Sequence, residues 1–319
     1  MMSLIDTYLK AFSHLKRGVT RYGLAPHKPV LLITLIELFE KGLVTSNAVP
    51  VNADLVATFK ENWLLLVPTA HQPDFTQPFF YLQSERVGRK PYWFLQPNRG
   101  CQINSHIKSV NTLAHVCAYG FFSTDLFLLL SDPYARKELK KVLLNIYFPT
   151  YTVEYDLKKS VGDGYYHDQM IDVLNETEAK YKRTIINTEE DLFVRNGLFK
   201  KLVPKIYNNR CSFTGMQIYT TFNYSFVDAC HIVPFSESQN DKIVNGIALC
   251  PNMHRAFDRG LLSIDDDYRI LVSRHIHENE EHPYGFKQLE GKFIELPNKP
   301  NHFPDLTAIA WHRDRIFKR

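Results

Sequence analysis

"DACHIVPFSESQNDKIVNGIALCPNMHRAFDRG", residues 228–260, carries two histidines and three aspartates in one short run. "FVDACHIVPF" is apolar and ends at Pro234, the pattern of a strand that stops at a loop. "NGIALCP" reads as a second strand opened by an Asn-Gly turn, and "NMHRAFDRGLL" as a short helix. Strand, loop, strand and helix in that order bring His231, Asn245, His254 and Asp258 together. His254 and Asp258 are four residues apart and share one helix face. An imidazole and a carboxylate on one face make a divalent-cation site. The nitrogen and oxygen donors suit magnesium or manganese better than structural zinc.

The rest of the chain sets the context. Its 319 residues suit two domains better than one, and 45% hydrophobic residues with 13% aromatics are ample for packed cores. No window holds the roughly 18 consecutive apolar residues of a membrane helix. "MMSLIDTYLKAFSHLKRG" is amphipathic and lacks the core and cleavage site of a secretory signal. The five cysteines, at 101, 117, 211, 230 and 250, form no C-x-x-C pair. An odd, scattered set without an export signal implies reduced thiols in a cytoplasm. Cys211 and Cys250 read as small buried hydrophobes, and no structural zinc is expected. The net charge of +4 permits an anionic partner without requiring one.

"HKPVLLITLIELFEKGLV", residues 27–44, predicts a helix stopped at Gly42. Residues 78–97 read as two aromatic strands joined by a basic turn at Arg86 to Lys90. Residues 123–148 read as two helices broken at Asp132-Pro133. Residues 156–190 are polar and read as a linker with one helix. Between 192 and 227 stand five basic residues, Arg195, Lys200, Lys201, Lys205 and Arg210, and no acidic ones. Placed just before the histidines, they suggest a phosphate-binding surface. The expected fold class is α+β. A mixed helical and β-hairpin domain (1–155) is joined by the linker (156–190) to a smaller catalytic domain (191–319).

The constellation resembles the HNH, or ββα-metal, nuclease motif. His231 stands as the first H, Asn245 as the N and His254 as the last H, at separations of fourteen and nine residues. The flanks "NNRCSFTG", "ALCPNMHRAFDRGLLSID" and "LTAIAWHRDRIF" resemble the restriction-type subgroup. The resemblance implies His231 as general base, Asn245 as the residue that pins the loop, and His254 with Asp258 as metal ligands. Asp228 either orients the base or joins the metal shell. The reaction implied is phosphodiester hydrolysis with a magnesium or manganese ion. Arg195, Lys200, Lys201, Arg210 and Arg255 are the expected DNA contacts. One departure stands out. Many such nucleases carry His or Asp immediately before the base, and here the residue is Cys230.

Residues 7–150 more loosely resemble the sulfur-binding domain of type IV restriction enzymes that recognise phosphorothioate DNA. That resemblance implies that Phe148-Pro149 forms part of an apolar pocket for sulfur, with Arg86, Arg89 and Arg99 holding the charge. The leading expectation is therefore a modification-dependent endonuclease acting on double-stranded DNA. Alternatives are an HNH nuclease for methylated or plain DNA, and a DNA-binding protein with an inactive HNH fold. A homodimer is consistent with double-strand cutting by a one-site nuclease.

Overall fold

The computed structural model describes residues 3–161, 172, 174, 175, 188–220, 225–279 and 284–319. The chain forms two units, Met1–Met170 with Ile186–Val194, and Ile171–Ile185 with Arg195–Arg319. Both mix helices with small antiparallel pairs of strands. No described helix is long and apolar enough to cross a membrane.

The first unit is built round a helix that is buried on every side. Helices α1 (Leu4–Ser13), α2 (His27–Glu40) and α3 (Ala53–Leu66) open the unit, with the short antiparallel strands β1 (Val19–Thr20) and β2 (Gly23–Leu24) between the first two. In α2, Val30 to Phe39 are all buried, so this helix is core rather than a one-faced surface helix. Gly42, just past its end, sits at φ +66° and lets the chain turn away. Around it lie α4 (Thr76–Tyr81), α5 (Val110–Val116), α6 (Thr124–Ser131), α7 (Pro133–Tyr147) and α8 (Thr152–Val161). Asp132 ends α6 and caps α7, its carboxylate accepting from Ala135 N at 2.9 Å.

The aromatic stretch differs from the two-strand expectation. Thr76–Tyr81 is helical, because Phe79 packs edge-on against Trp93 and its carbonyl accepts the Trp93 Nε1–H at 2.9 Å. Strands β3 (Arg86–Val87) and β4 (Lys90–Pro91) make only a minimal hairpin. The aromatic strand β5 (Trp93–Pro97) pairs instead with β6 (Cys117–Phe122). Residues 156–161 also depart from the linker expectation. They continue α8, whose Tyr155 is fully buried in the first unit. The rest of the expected linker and its polar helix lie mostly outside the described residues.

Glu37 is the polar centre of this unit. It accepts from Tyr155 Oη at 2.6 Å and Asn62 Nδ2 at 2.9 Å, and pairs with Lys159 at 3.1 Å and Lys140 at 3.3 Å. Burial pushes its pKa up, but Lys159 and Lys140 outweigh that and hold the carboxyl below its ordinary value. Glu37→Leu leaves Lys159 paired only with Glu61 and Lys140 only with Glu40, and removes an acceptor from the buried Tyr155 and Asn62; it should cost about 1–3 kcal/mol. Glu40→Ala, at the exposed edge, should cost less than about 1 kcal/mol. Urea denaturation of the full chain followed by circular dichroism checks the contrast.

In the second unit β7 (Asp228–His231) pairs with β8 (Gly246–Leu249) in the register His231↔Gly246. The helix Pro251–Asp258 follows directly. Strands β9 (Leu262–Ile264) and β10 (Ile270–Val272) form a second pair, and the helix Leu306–Arg315 packs on β9. That last helix carries His312, stacked on Phe257 at 3.7 Å and 10°. Its Nε2–H donates to Phe257 O at 3.1 Å, so Nδ1 is unprotonated and accepts from Ser263 Oγ at 2.9 Å. Burial lowers this imidazole from 6.5 to about 4. Between those values the unfolded chain takes up a proton that the folded unit refuses. Stability is therefore expected to fall as pH drops from about 6.5 to about 4, by at most about 3 kcal/mol from this group. His312→Gln should flatten that slope. Denaturation midpoints of both proteins at pH 7 and 4.5 measure the difference.

Candidate active site

His231 ends β7, Asn245 precedes β8, and His254 and Asp258 lie on the helix Pro251–Asp258. Pro251 at the first turn of that helix presets its φ. The three elements converge on a cleft of about 330 Å³ whose lining includes Lys200, His231, Phe235, His254, Asp258 and His312.

The loop between the strands is held by Asn245. Its Oδ1 accepts from Val233 N at 2.9 Å, and its Nδ2 donates to Val233 O at 3.0 Å and Asn240 O at 2.9 Å. Buried at 1% exposure, it replaces the ladder bonds that a 14-residue excursion lacks. Asn245 ends a short 3₁₀ turn, Ile243–Asn245, and this turn opens the second strand where the sequence suggests an Asn-Gly turn. The loop between them also contains the helical turn Phe235–Ser238.

The imidazole of His231 is fixed on two sides. Phe199 stacks on its ring at 4.0 Å and 9°. Nε2 lies 2.8 Å from Asp241 Oδ1, a carboxylate with no solvent exposure. The other oxygen of Asp241 takes Arg195 Nε at 3.1 Å. A carboxylate accepts, so Nε2 carries the hydrogen and Nδ1 is left as the basic nitrogen. The sequence reading missed Asp241 and Phe199. An acidic residue ten positions after the histidine, inside a polar loop, is a weak signal, and a phenylalanine 32 positions earlier is none.

Asp228 does not face His231. Its Oδ2 lies 3.8 Å from His254 Nδ1, and His254 Nε2 lies 3.4 Å from Asp258 Oδ2. Cys230 is buried, with its sulfur 3.6 Å from Asp258 Oδ1. Burial first, then Asp258 and Asp228, push this thiol well above its ordinary pKa. Cys230, His254 and Asp258 can each present one donor atom within 4.8 Å of the others. A divalent ion fits here, since the group joins a carboxylate, an imidazole and a thiol.

The other expected contacts separate. Arg195 is buried at 2% exposure and spent on Asp241, which corrects its reading as a DNA contact. Lys200 is exposed at the cleft. Lys201 is half-buried, and Arg210 pairs with Glu295 at 3.6 Å. Arg255 is exposed and lines a different cleft, together with Arg259 and Lys292. Cys211 and Cys250 are both buried. The hydrogen bond between their thiols lowers the pKa of Cys211 and raises that of Cys250.

In the first unit Phe148 is buried at the end of α7 and Pro149 is exposed, while Arg86, Arg89 and Arg99 are exposed. Among the described residues no hydrogen bond or ion pair joins Phe148-Pro149 to these arginines. A cleft of about 400 Å³ instead gathers Lys16, Arg17, His27, Lys28 and Tyr81 at the N-terminal end of α2. Tyr147 braces it, since its hydroxyl donates to Phe12 O and accepts from Leu15 N, and Arg17 lies 4.7 Å over its ring. His27 Nε2 donates to Gln72 O at 2.9 Å, while its buried Nδ1 has no partner among the described residues. Burial lowers the His27 pKa.

Two strands, a loop and a helix that present a fixed imidazole beside a cation site are the arrangement of a ββα-metal nuclease. Residues 211–265 match the family model described as HNH endonuclease, and this segment is an HNH endonuclease domain. A solved structure of a modification-dependent TagI restriction endonuclease is similar at 25% identity and a TM-score of 0.28. The match covers 37% of this chain and 37% of that one. No curated protein matches.

If Asp241 holds the base, Asp241→Asn loses the charge that stabilises the imidazolium and should lower plasmid cleavage by about 10²- to 10⁴-fold. DNA binding should persist. A rate within tenfold of the parent, measured on protein shown to be folded by circular dichroism, would make Asp241 only a support for the loop.

Proposed function

We propose that the chain is a DNA endonuclease directed by its N-terminal unit to modified duplex, with phosphorothioate as the leading modification. The observation that carries the nuclease assignment is the His231 ring, clamped by Phe199 and Asp241 with Nδ1 left as its basic nitrogen.

His231 Nδ1 takes the proton from the attacking water, and Asp241 stabilises the imidazolium that results. Arg195 pairs with Asp241 and holds it in place. Phe199 fixes the ring plane, so the base needs no reorientation when substrate arrives. Lys200 meets the phosphate at the rim. His254 and Asp258 would hold a divalent ion, which supplies charge stabilisation at the scissile phosphate and the departing oxygen. Asn245 preserves the loop that carries Asp241.

A one-site nuclease cuts both strands by two visits or as two copies, and we favour a homodimer on DNA. For the modification, the cleft at α2 supports the reading better than Phe148-Pro149 does. Lys16 and Arg17 supply positive charge there, and Pro78 and Tyr81 supply apolar and aromatic wall. Sulfur in place of a phosphate oxygen is larger and less hydrated, so such a mixed surface discriminates in its favour.

His231→Ala should lose at least about 10²-fold in cleavage and keep its grip on DNA, because the base and not the binding surface is removed. With that inactive full-length protein, phosphorothioated duplex should bind more tightly than plain duplex by about 1–3 kcal/mol. Both affinities should fall with salt, while their ratio holds. Titrations at two salt concentrations read this. Equal affinities would remove the phosphorothioate reading and leave the nuclease standing, with methylated or plain DNA as its target.

A further inference from the structure

Cys230 occupies the strand position beside the general base, and its surroundings are those of a ligand. Its sulfur lies 3.6 Å from Asp258 Oδ1, and His254 Nε2 lies 3.4 Å from Asp258 Oδ2. The second distance is too long for an N–H···O hydrogen bond, which runs to about 3.2 Å. The two distances run to different oxygens of Asp258, and each has the length of one edge between two donors on a tetrahedral metal. Bonds of about 2.0 Å to N or O and 2.3 Å to S give edges of about 3.3–3.6 Å. On the other edge of the His254 ring, Asp228 Oδ2 stands 3.8 Å from Nδ1. That is the side from which a carboxylate orients a ligating imidazole.

We propose that Cys230, His254 and Asp258 form an open, three-ligand site for a borderline transition ion of the zinc or cobalt class, and that Cys230 makes the site discriminate against magnesium. The inference rests on the nuclease reading, since it names the ion that His254 and Asp258 would hold there. Magnesium demands near-octahedral oxygen ligation and keeps several waters. A thiolate beside an imidazole selects softer ions. Three protein ligands leave a fourth position for solvent or a phosphate oxygen, the pattern of catalytic rather than structural sites. Binding exchanges a proton for the metal. The Cys230 S–H bond breaks, the sulfur–metal bond forms with the same electron pair, and the proton leaves to solvent.

Titration of the metal-free full-length protein with cobalt(II) tests this without DNA. One equivalent should give a thiolate-to-cobalt charge-transfer band with the visible bands of tetrahedral cobalt. Zinc should bleach both, and a large excess of magnesium should not. The Cys211→Ser/Cys250→Ser double variant should keep the band, and Cys230→Ser should lose it. Cys230→Asp should bind cobalt without that band and let magnesium compete. If Cys230→Ser fails to fold, the parent and the double variant still decide, because the double variant leaves Cys230 as the only cysteine of the second unit. No thiolate band in the parent, or a band that survives in folded Cys230→Ser, overturns the proposal. Plasmid cleavage separates the two readings. Cleavage with magnesium and no thiolate band sinks the ion assignment alone. A thiolate band with no cleavage under any ion sinks the nuclease reading and keeps the metal site.

Discussion

A single carboxylate with no access to solvent organises the second unit. Asp241 accepts from His231 on one oxygen and from Arg195 on the other. A buried carboxylate is tolerated only when its charge is answered, and both answers serve the site. Arg195 ties the middle of the helix Glu189–Ile206 to the loop between the strands, and also donates to Gln239 O at 3.3 Å. His231 thereby inherits a fixed tautomer from a residue on a loop that would otherwise wander. Asn245 bonds that loop to itself and to the start of the strand, so the carboxylate is held from both directions.

The remaining parts of the site show the same economy. Phe199 contributes a ring face from the helix that carries Arg195, so one element supplies both the packing and the charge behind the base. Asp228 serves the second histidine rather than the first, which divides the two imidazoles between two carboxylate systems. His231 is backed by a fully buried acid. His254 is flanked by two half-exposed acids, with side-chain exposures of 56% and 57%. Exposure suits groups that must exchange solvent for a cation, and burial suits a group that must not move.

His231, Asn245, His254 and Asp258 were legible because their spacing is imposed by local geometry, a strand end, a strand start and one helical turn. Asp241 and Phe199 were not, because their roles arise from contacts across a loop and from a distant helix. Arg195 was misread for a related reason: a run of like charges reports composition, not which member turns inward. In the first unit the broken helix at Asp132-Pro133 was readable from backbone chemistry alone. The aromatic stretch was not, since Phe79 and Trp93 satisfy each other across elements and override the strand-like look of the segment. The basic cleft at α2 gathers residues from 16 to 84, a set that no local pattern joins.

Gly260 sits at φ +69° behind the helix Pro251–Asp258, and a Cβ there would lie 1.9 Å from the carbonyl oxygen of Ile316. Its own carbonyl accepts from Lys318 N at 2.8 Å. The segment from 306 to 318 thus closes against the end of that helix, and His312 and Ile316 line the cleft. Translation delivers this segment after every other piece of the site. A nascent chain that has emerged only as far as β10 already holds His231, Asn245 and His254, yet lacks one wall of the cleft that joins them. The order of synthesis therefore leaves this cleft open on one side until residues 306–318 have emerged.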